Sequence, residues 1–260
     1  MIRLQKLLAE AGLGSRRTVE GWIREGRVTV GDHVARLGDR ASPVDEVRLD
    51  GRKLDLEGTS RNGTGLLLYY KRVGEVTTRR DPQGRPTVFE RLPRPERGRW
   101  ISVGRLDVST AGLLLLTTDG ELAHRLMHPS GEVEREYRVR LRGRPGPDAL
   151  ERLLAGVRLD DGPARFDRIS ADSTDRGAHS SFRVVLHTGR NREVRRLWEA
   201  VGFEVSRLLR IRYGPIELPR DMRPGSARPA DGATLERLRA AVRLGTPARN
   251  ARSPDSSVDA

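Results

Sequence analysis

Gly104-Arg105-Leu106-Asp107-Val108-Ser109-Thr110-Ala111-Gly112-Leu113-Leu114-Leu115-Leu116 is the stretch on which the reading of this chain turns. Ile101-Ser102-Val103 before it and Leu113 to Leu116 within it are short apolar runs, the pattern of buried strands. Between them, Gly104 to Thr110 reads as a loop on a rigid scaffold, where polar side chains are held for function. Asp107 is the carboxylate of that loop and a candidate catalytic group. The alternative is an Asp whose side chain bonds its own turn, beside Ser109 and Thr110. The residues alone leave both open.

Outward from this stretch, Thr118 and Glu121 have capping-box spacing and predict a helix through Leu122 and Leu126 to Pro129. Glu136 to Leu141 alternates, with Tyr137, Val139 and Leu141 on one face and Arg138, Arg140 and Arg142 on the other. Phe182 to Leu186 is a strand and Thr188-Gly189-Arg190-Asn191 a loop. Asn191 is placed to cap a helix with Val194, Leu197, Trp198 and Val201 inward and Gly202 after it. Val205 to Tyr213 reads as strand, and a last helix runs around Leu235, Leu238 and Val242. In the other direction, Leu66 to Tyr70 is a buried strand and Asp81-Pro82-Gln83-Gly84 a turn.

The first residues predict a separate small module. Leu4, Leu7, Leu8 and Ala11 recur at helical spacing before Gly12, and Ser15 can cap a second helix bearing Val19, Trp22 and Ile23. Val28 to Val34 is a hairpin about Gly31-Asp32, and Val44, Val47 and Leu49 suggest one more strand. The expected organisation is a small domain over 1–53, a linker over 54–65, a larger domain over 66–245 and a disordered tail over 246–260. Strands dominate the larger domain with helices interspersed, so its class is α+β with a mixed or antiparallel sheet.

Composition narrows the function. Lys+Arg is 49 against 36 Asp+Glu in 260 residues, a net charge of +13, and every basic residue but Lys6, Lys53 and Lys71 is arginine. A GC-rich genome accounts for arginine over lysine but not for the excess, which points to a polyanionic partner. Aromatic residues are 4%, so stacking on single strands is not the main binding mode. With no cysteine there is no disulfide, thiolate zinc site or thiol nucleophile. No eighteen-residue apolar run and no secretory leader is visible, so the expected compartment is the cytoplasm, without a membrane.

Further candidates follow from charge and spacing. Arg183 to Arg212 carries eight arginines and three glutamates. Arg192, Arg195, Arg196 and Glu199 fall opposite the apolar stripe of the expected helix, whose N-terminus offers backbone donors to a phosphate. A salt-bridged outer face is the competing reading. Lys6, Arg16 and Arg17 cluster with Arg3, Arg24 and Arg27 on the first two helices and their ends, either as a contact for a polyanion or as a solvated surface. His124 and His128 have metal-compatible spacing but no third ligand nearby, so no metal site is expected. His33, His179 and His187 stand alone. Asp160-Asp161-Gly162 reads as a turn. There is no Walker loop, serine nucleophile elbow or glycosidase-like carboxylate pair.

Taken together, these residues resemble the RsuA-type ribosomal pseudouridine synthase family. Gly104-Arg105-Leu106-Asp107 through Gly120 is similar to its central motif. Tyr69-Tyr70-Lys71 with Asp81 to Phe89 resembles its first motif, Glu136-Tyr137-Arg138-Val139 its tyrosine strand, and Gly189 to Glu199 its third motif. The first module resembles an S4 RNA-binding domain. The likeness runs in collinear order over roughly residues 3 to 230. One departure is Arg72, where the family usually has proline.

The resemblance implies isomerisation of a uridine to pseudouridine without cofactor or metal. It gives Asp107 the catalytic carboxylate, Arg195 as its partner and Tyr137 against the target base. Arg105 is expected to hold the flipped nucleotide, with Lys6, Arg16, Arg17, Arg190, Arg192 and Arg196 contacting RNA. Arg190–Arg196 and Arg207–Tyr213 favour the members acting on large-subunit (23S) ribosomal RNA near the peptidyl-transferase centre, free or in an assembling subunit, over small-subunit (16S) RNA. A monomer is expected. The competing functional reading is a catalytically silent RNA-binding or ribosome-assembly protein.

Overall fold

A computed structural model of the chain describes residues 1–56, 64–96, 98–172 and 179–244. Their contacts form two compact units that meet in sequence between Thr64 and Gly65. The expected tail and the glycine-rich stretch 57–63 of the expected linker lie outside the described residues.

The first unit contains β1 (Ile2–Arg3), α1 (Leu4–Glu10), α2 (Arg16–Arg24), β2 (Val28–Val30), β3 (His33–Val34), β4 (Arg40–Ala41), β5 (Val47–Leu49) and β6 (Arg52–Lys53). The helical spacing of Leu4, Leu7 and Leu8 buries all three, and Gly12 ends the turn at φ +83°. The Ser15 hydroxyl accepts from the Thr18 backbone N–H at 3.0 Å, capping α2 as expected. Val19 and Ile23 then face the core beside Val28, Val47 and Leu56. Leu54 and Leu56, within the expected linker, thus pack in this core. β2 pairs with β3 and β5, and β5 with β6. Val44 is not in a strand: Asp45 accepts from the Ser42 N–H at 2.8 Å, and the resulting turn turns Val44 out to solvent.

The second unit contains β7 (Leu66–Lys71), β8 (Ile101–Ser102), β9 (Ala111–Thr117), α3 (Gly120–Met127), β10 (Arg135–Arg142), α4 (Pro147–Ala155), β11 (Val157–Leu159), β12 (Gly162–Ala164), β13 (Arg168–Ala171), β14 (His179–Leu186), α5 (Glu193–Glu199), β15 (Val205–Tyr213), β16 (Ile216–Glu217), β17 (Ala227–Pro229) and α6 (Gly232–Ala241). Its main sheet runs β13-β14-β10-β15-β9-β7-β17, with β8 on β9 and β16 on β15. All pairs are antiparallel except β9 with β15. The mixed sheet of the expected α+β class is therefore present.

Alternation sorts the two faces. Leu67, Tyr69, Leu114, Leu116, Tyr137 and Val139 join one core with Leu153 of α4 and Val194, Leu197 and Trp198 of α5. Leu66, Leu68, Leu113 and Leu115 join the other core with Leu122 and Leu126 of α3 and Leu238 of α6.

Three local expectations are corrected. Asp119, not Thr118, caps α3, accepting from Glu121 and Leu122 N–H at 2.9 and 3.0 Å. The Thr118 hydroxyl is taken by the Gly65 N–H at 2.9 Å. Asn191 does not cap α5. Arg192 occupies that position at φ +49°, while the Glu193 carboxylate reaches back to the Arg190 N–H (3.0 Å) and the Thr188 hydroxyl (2.7 Å). A carboxylate thus lies at the end of α5 where a phosphate is expected. Arg195 does not lie outward; it is buried. The helix α4 was not expected, although Pro147 at its first position and Gly156 after it are the usual boundary pair.

The parallel contact rests on Gly112. Its φ is +109°, and a Cβ there would lie 2.3 Å from the Arg210 carbonyl oxygen and 2.6 Å from its nitrogen. Backbone cannot yield as a side-chain tip can, so Gly112→Ala is expected to destabilise this unit by about 3 kcal/mol. Thermal unfolding tests this; a melting temperature equal to wild type contradicts the close approach.

Candidate active site around Asp107

One transverse row crosses the sheet where the motif strands meet. Lys71 pairs with Gly112, Gly112 with Arg210, Arg210 with Tyr137 and Tyr137 with Val184. The segments singled out separately in the sequence thus converge at one level of the sheet. The Asp107 loop enters β9 at this level.

That loop is held by its carbonyls. The Thr77 hydroxyl donates to Leu106 O at 3.1 Å. Lys71 Nζ donates to Asp107 O at 2.9 Å and to Thr110 O at 2.8 Å. The Gly74 N–H donates to Val108 O at 2.8 Å. Arg195 Nη2 donates to Ser109 O at 3.1 Å. Every carbonyl from Leu106 to Thr110 therefore has a donor, and four of these bonds come from side chains. The turn closes through the Thr110 N–H on Asp107 O at 3.0 Å. The Asp107 carboxylate accepts no hydrogen bond among the described residues, and Asp107 is half-buried. An Asp spent on its own side-chain turn, the alternative in the sequence, is not what forms here.

Lys71 is fully buried, and its third bond goes to Arg72 O at 2.9 Å. An ammonium suits this place because it is compact and directs three donors to three converging carbonyls, which a planar guanidinium does not. Burial pushes its pKa down to about 8, against the opposing pull of the Glu75 and Asp107 charges. Glu75 is itself buried, accepting from the Tyr69 hydroxyl at 2.8 Å and from the Arg72 N–H at 3.0 Å. A proline at 72 has no such N–H. Arg72 also donates through Nε to Pro224 O at 3.1 Å, so this departure ties the turn to the segment before β17.

Arg195 reaches the loop from α5, donating also to Val205 O at 2.8 Å. Burial lowers its pKa from the usual arginine range; Arg192 adds to that, and the Asp107 charge opposes it. The hydrogen bonds of the guanidinium thus go to the backbone oxygens of Val205 and Ser109, and among the described residues no ion pair joins Arg195 to Asp107. Tyr137 is 9% exposed on β10, facing the core that also holds Leu106. Arg105 is exposed two residues before Asp107 and has no ion pair among the described residues.

The remaining candidates lie elsewhere. Arg196 forks onto Asp161 with two bonds of 2.8 Å, and Arg190 pairs with the same carboxylate at 3.5 Å. Asp161 is in the turn between β11 and β12, so the expected turn also anchors α5. Arg192 lies 4.0 Å from Glu199, and Lys6 3.8 Å from Glu10. Arg16 and Arg17 are exposed on α2 without an ion pair among the described residues. His187 bonds Asp167 at 2.8 Å, His179 bonds Leu141 O at 3.0 Å and His33 lies 3.6 Å from Asp39, so none stands alone. Among the described residues no group of three His, Cys, Asp or Glu is placed to hold a metal, and no helix is long and apolar enough to cross a membrane.

Comparison with known proteins follows the same division. The RNA pseudouridylate synthase family pattern matches residues 65–200, and the S4 domain pattern matches residues 2–54. The ribosomal large subunit pseudouridine synthase B of Yersinia pestis is 52% identical over 244 residues, covering 93% of this chain and 76% of that protein. The protein of the same name from Escherichia coli (strain K12) is 52% identical over 244 residues, covering 93% and 84%. A crystal structure of a pseudouridylate synthase superposes with TM-score 0.63 at 26% identity, covering 92% of this chain and 100% of that one.

The buried ammonium has a pH signature. Its folded pKa, about 8, lies below its ordinary 10.5, so above pH 8 the unfolded chain holds the proton more tightly. Stability from this group therefore rises with pH between about 8 and 10, by up to about 1.4 kcal/mol per pH unit. Denaturant titrations at pH 8, 9 and 10 on wild type and Lys71→Met should show that rise in wild type alone. Parallel pH dependences would contradict the burial of a charged Lys71.

Proposed function

The chain belongs to the RNA pseudouridylate synthase family and carries an S4 domain at its N-terminus, and on that premise we propose that it isomerises a specific uridine of large-subunit (23S) ribosomal RNA to pseudouridine. The observation that carries the reading is the Asp107 loop: five successive carbonyls are held, one of them by Arg195, and the carboxylate is left unbonded among the described residues. A carboxylate used by its own turn could not serve the ribose. The large-subunit substrate is supported by the relatives' name and by 52% identity over 93% of the chain.

The reaction breaks N1–C1′, turns the base and joins C5 to C1′, with no net oxidation and hence no call for a redox cofactor. Asp107 acts at the ribose, as nucleophile on C1′ or by taking a proton from C2′. Both uses require the ionised form. Tyr137 stacks on the base and assists loss of the C5 proton. The base must first leave its stack, at about a few kcal/mol, and exposed Arg105 holds the flipped nucleotide. Arg16 and Arg17 supply phosphate contacts from the S4 unit; Lys6, Arg190, Arg192 and Arg196, each beside a carboxylate, make weaker ones. The protein works in the cytoplasm as a monomer, on rRNA free or within an assembling large subunit.

Purified wild type and Asp107→Asn, given transcribed 23S RNA labelled with tritium at uridine C5, test the chemistry. Wild type should release tritium; the variant should release at least about 10³-fold less while binding RNA with unchanged affinity. Normal turnover by Asp107→Asn overturns the assignment, and binding without turnover by wild type favours the silent RNA-binding protein.

Arg16→Ala and Arg17→Ala should each reduce the slope of log Kd against log salt by about 0.9. Slopes equal to wild type would return both arginines to a solvated helix surface.

A further inference from the structure

Arg140 of β10 and Arg207 of β15 lie directly opposite each other on neighbouring strands, and both are exposed. Like charges so placed oppose strand pairing, and a sheet keeps them there only against another gain. One pair over on the same face, Arg138 stands opposite Arg183 of β14. That second pair is compensated: Asp172 lies 2.7 Å from Arg138 Nε and 3.8 Å from Arg183 Nε. Arg142, farther along β10, has Glu204 at 2.8 Å. Arg140 and Arg207 have no carboxylate partner among the described residues.

This is the face of β10 opposite Tyr137, and the α3–α6 core covers the sheet at β7 and β9 rather than here. It carries no Phe, Tyr or Trp on β10 or β14, so it offers nothing on which bases could stack. Its donors are forked guanidiniums on paired strands, spaced by the strand separation instead of by a flexible loop. Two such forks side by side suit a phosphate oxygen or two neighbouring phosphates.

We infer that the outer face of β14, β10 and β15, centred on Arg140 and Arg207, is a second binding surface for the phosphate backbone of structured RNA, on the side of the sheet away from Tyr137. The inference rests on the proposed RNA substrate and extends it: the site around Asp107 selects one nucleotide, and this face holds a distant helix of the same large RNA. A folded RNA long enough to pass both sides of the sheet gains from it. A short hairpin that fills only the Asp107 site does not.

The test compares wild type with the double variant Arg140→Gln/Arg207→Gln on two RNAs, a hairpin spanning the target uridine and a folded 23S domain containing it. For the domain, the variant should bind roughly tenfold more weakly at 150 mM salt, with its log–log salt slope reduced by up to about 2. For the hairpin, Kd and kcat should match wild type, and the melting temperature should be equal or higher once the like charges are removed. Unchanged affinity for the folded domain, with wild type active, overturns the surface and leaves the enzyme standing. Equal weakening on hairpin and domain assigns the effect to overall charge and also overturns the surface. A wild type that isomerises neither RNA overturns the reading on which the surface rests.

Discussion

One buried ammonium organises the site. Lys71 Nζ ends a strand and donates to carbonyls on both sides of the Asp107 turn and to its own neighbour. Taking a lysine charge out of water is costly, and that cost is offset only while the carbonyls remain in place. Arg195 completes the arrangement from α5, across 86 residues of sequence. The loop carbonyls are occupied, and the Asp107 carboxylate accepts no hydrogen bond among the described residues. Gly112 lets β9 approach β15 and brings the tyrosine strand level with this loop.

The charge of the chain is distributed by the same fold. Arginines that cluster in sequence at 190–196 turn out to have different tasks. Arg195 is buried on the loop, Arg190 and Arg196 secure the β11–β12 turn through Asp161, and Arg192 faces Glu199. Arg16 and Arg17 on α2, Arg105 beside the Asp107 turn, and Arg140 and Arg207 on the outer sheet face are among the exposed arginines without a carboxylate partner among the described residues. Local net charge along the sequence therefore locates a polyanion surface poorly. Strand register locates it better, because register decides which arginines oppose each other and which carboxylates they can reach.

Much of this architecture was legible because its signals are local. Ser15 three residues before Thr18, the alternation from Glu136 to Leu141 and the apolar run at Leu113–Leu116 each fix an element from a few neighbours. Asp107 was legible as a candidate, but not the bonds that free its side chain. Those come from partners 29 to 86 residues away. Arg195 falls on the outer face of an idealised helix wheel, yet it is buried on the Asp107 loop, where Ser109 O accepts from it. Thr118 lost its cap role to a competing donor at Gly65, which spacing could not reveal. Lys71 enters the sequence reading only through its motif. Its signal was there, as a lone lysine closing an apolar strand in a chain that otherwise uses arginine.

The most direct measurement is pseudouridine mapping of ribosomal RNA from cells with and without the gene, by chemical labelling that stops reverse transcriptase. The account predicts the loss of one stop in large-subunit RNA near the peptidyl-transferase centre, restored by the wild-type gene. Unchanged stops throughout both ribosomal RNAs would contradict it. A stop lost from the small-subunit RNA instead would keep the chemistry at Asp107 and contradict the substrate.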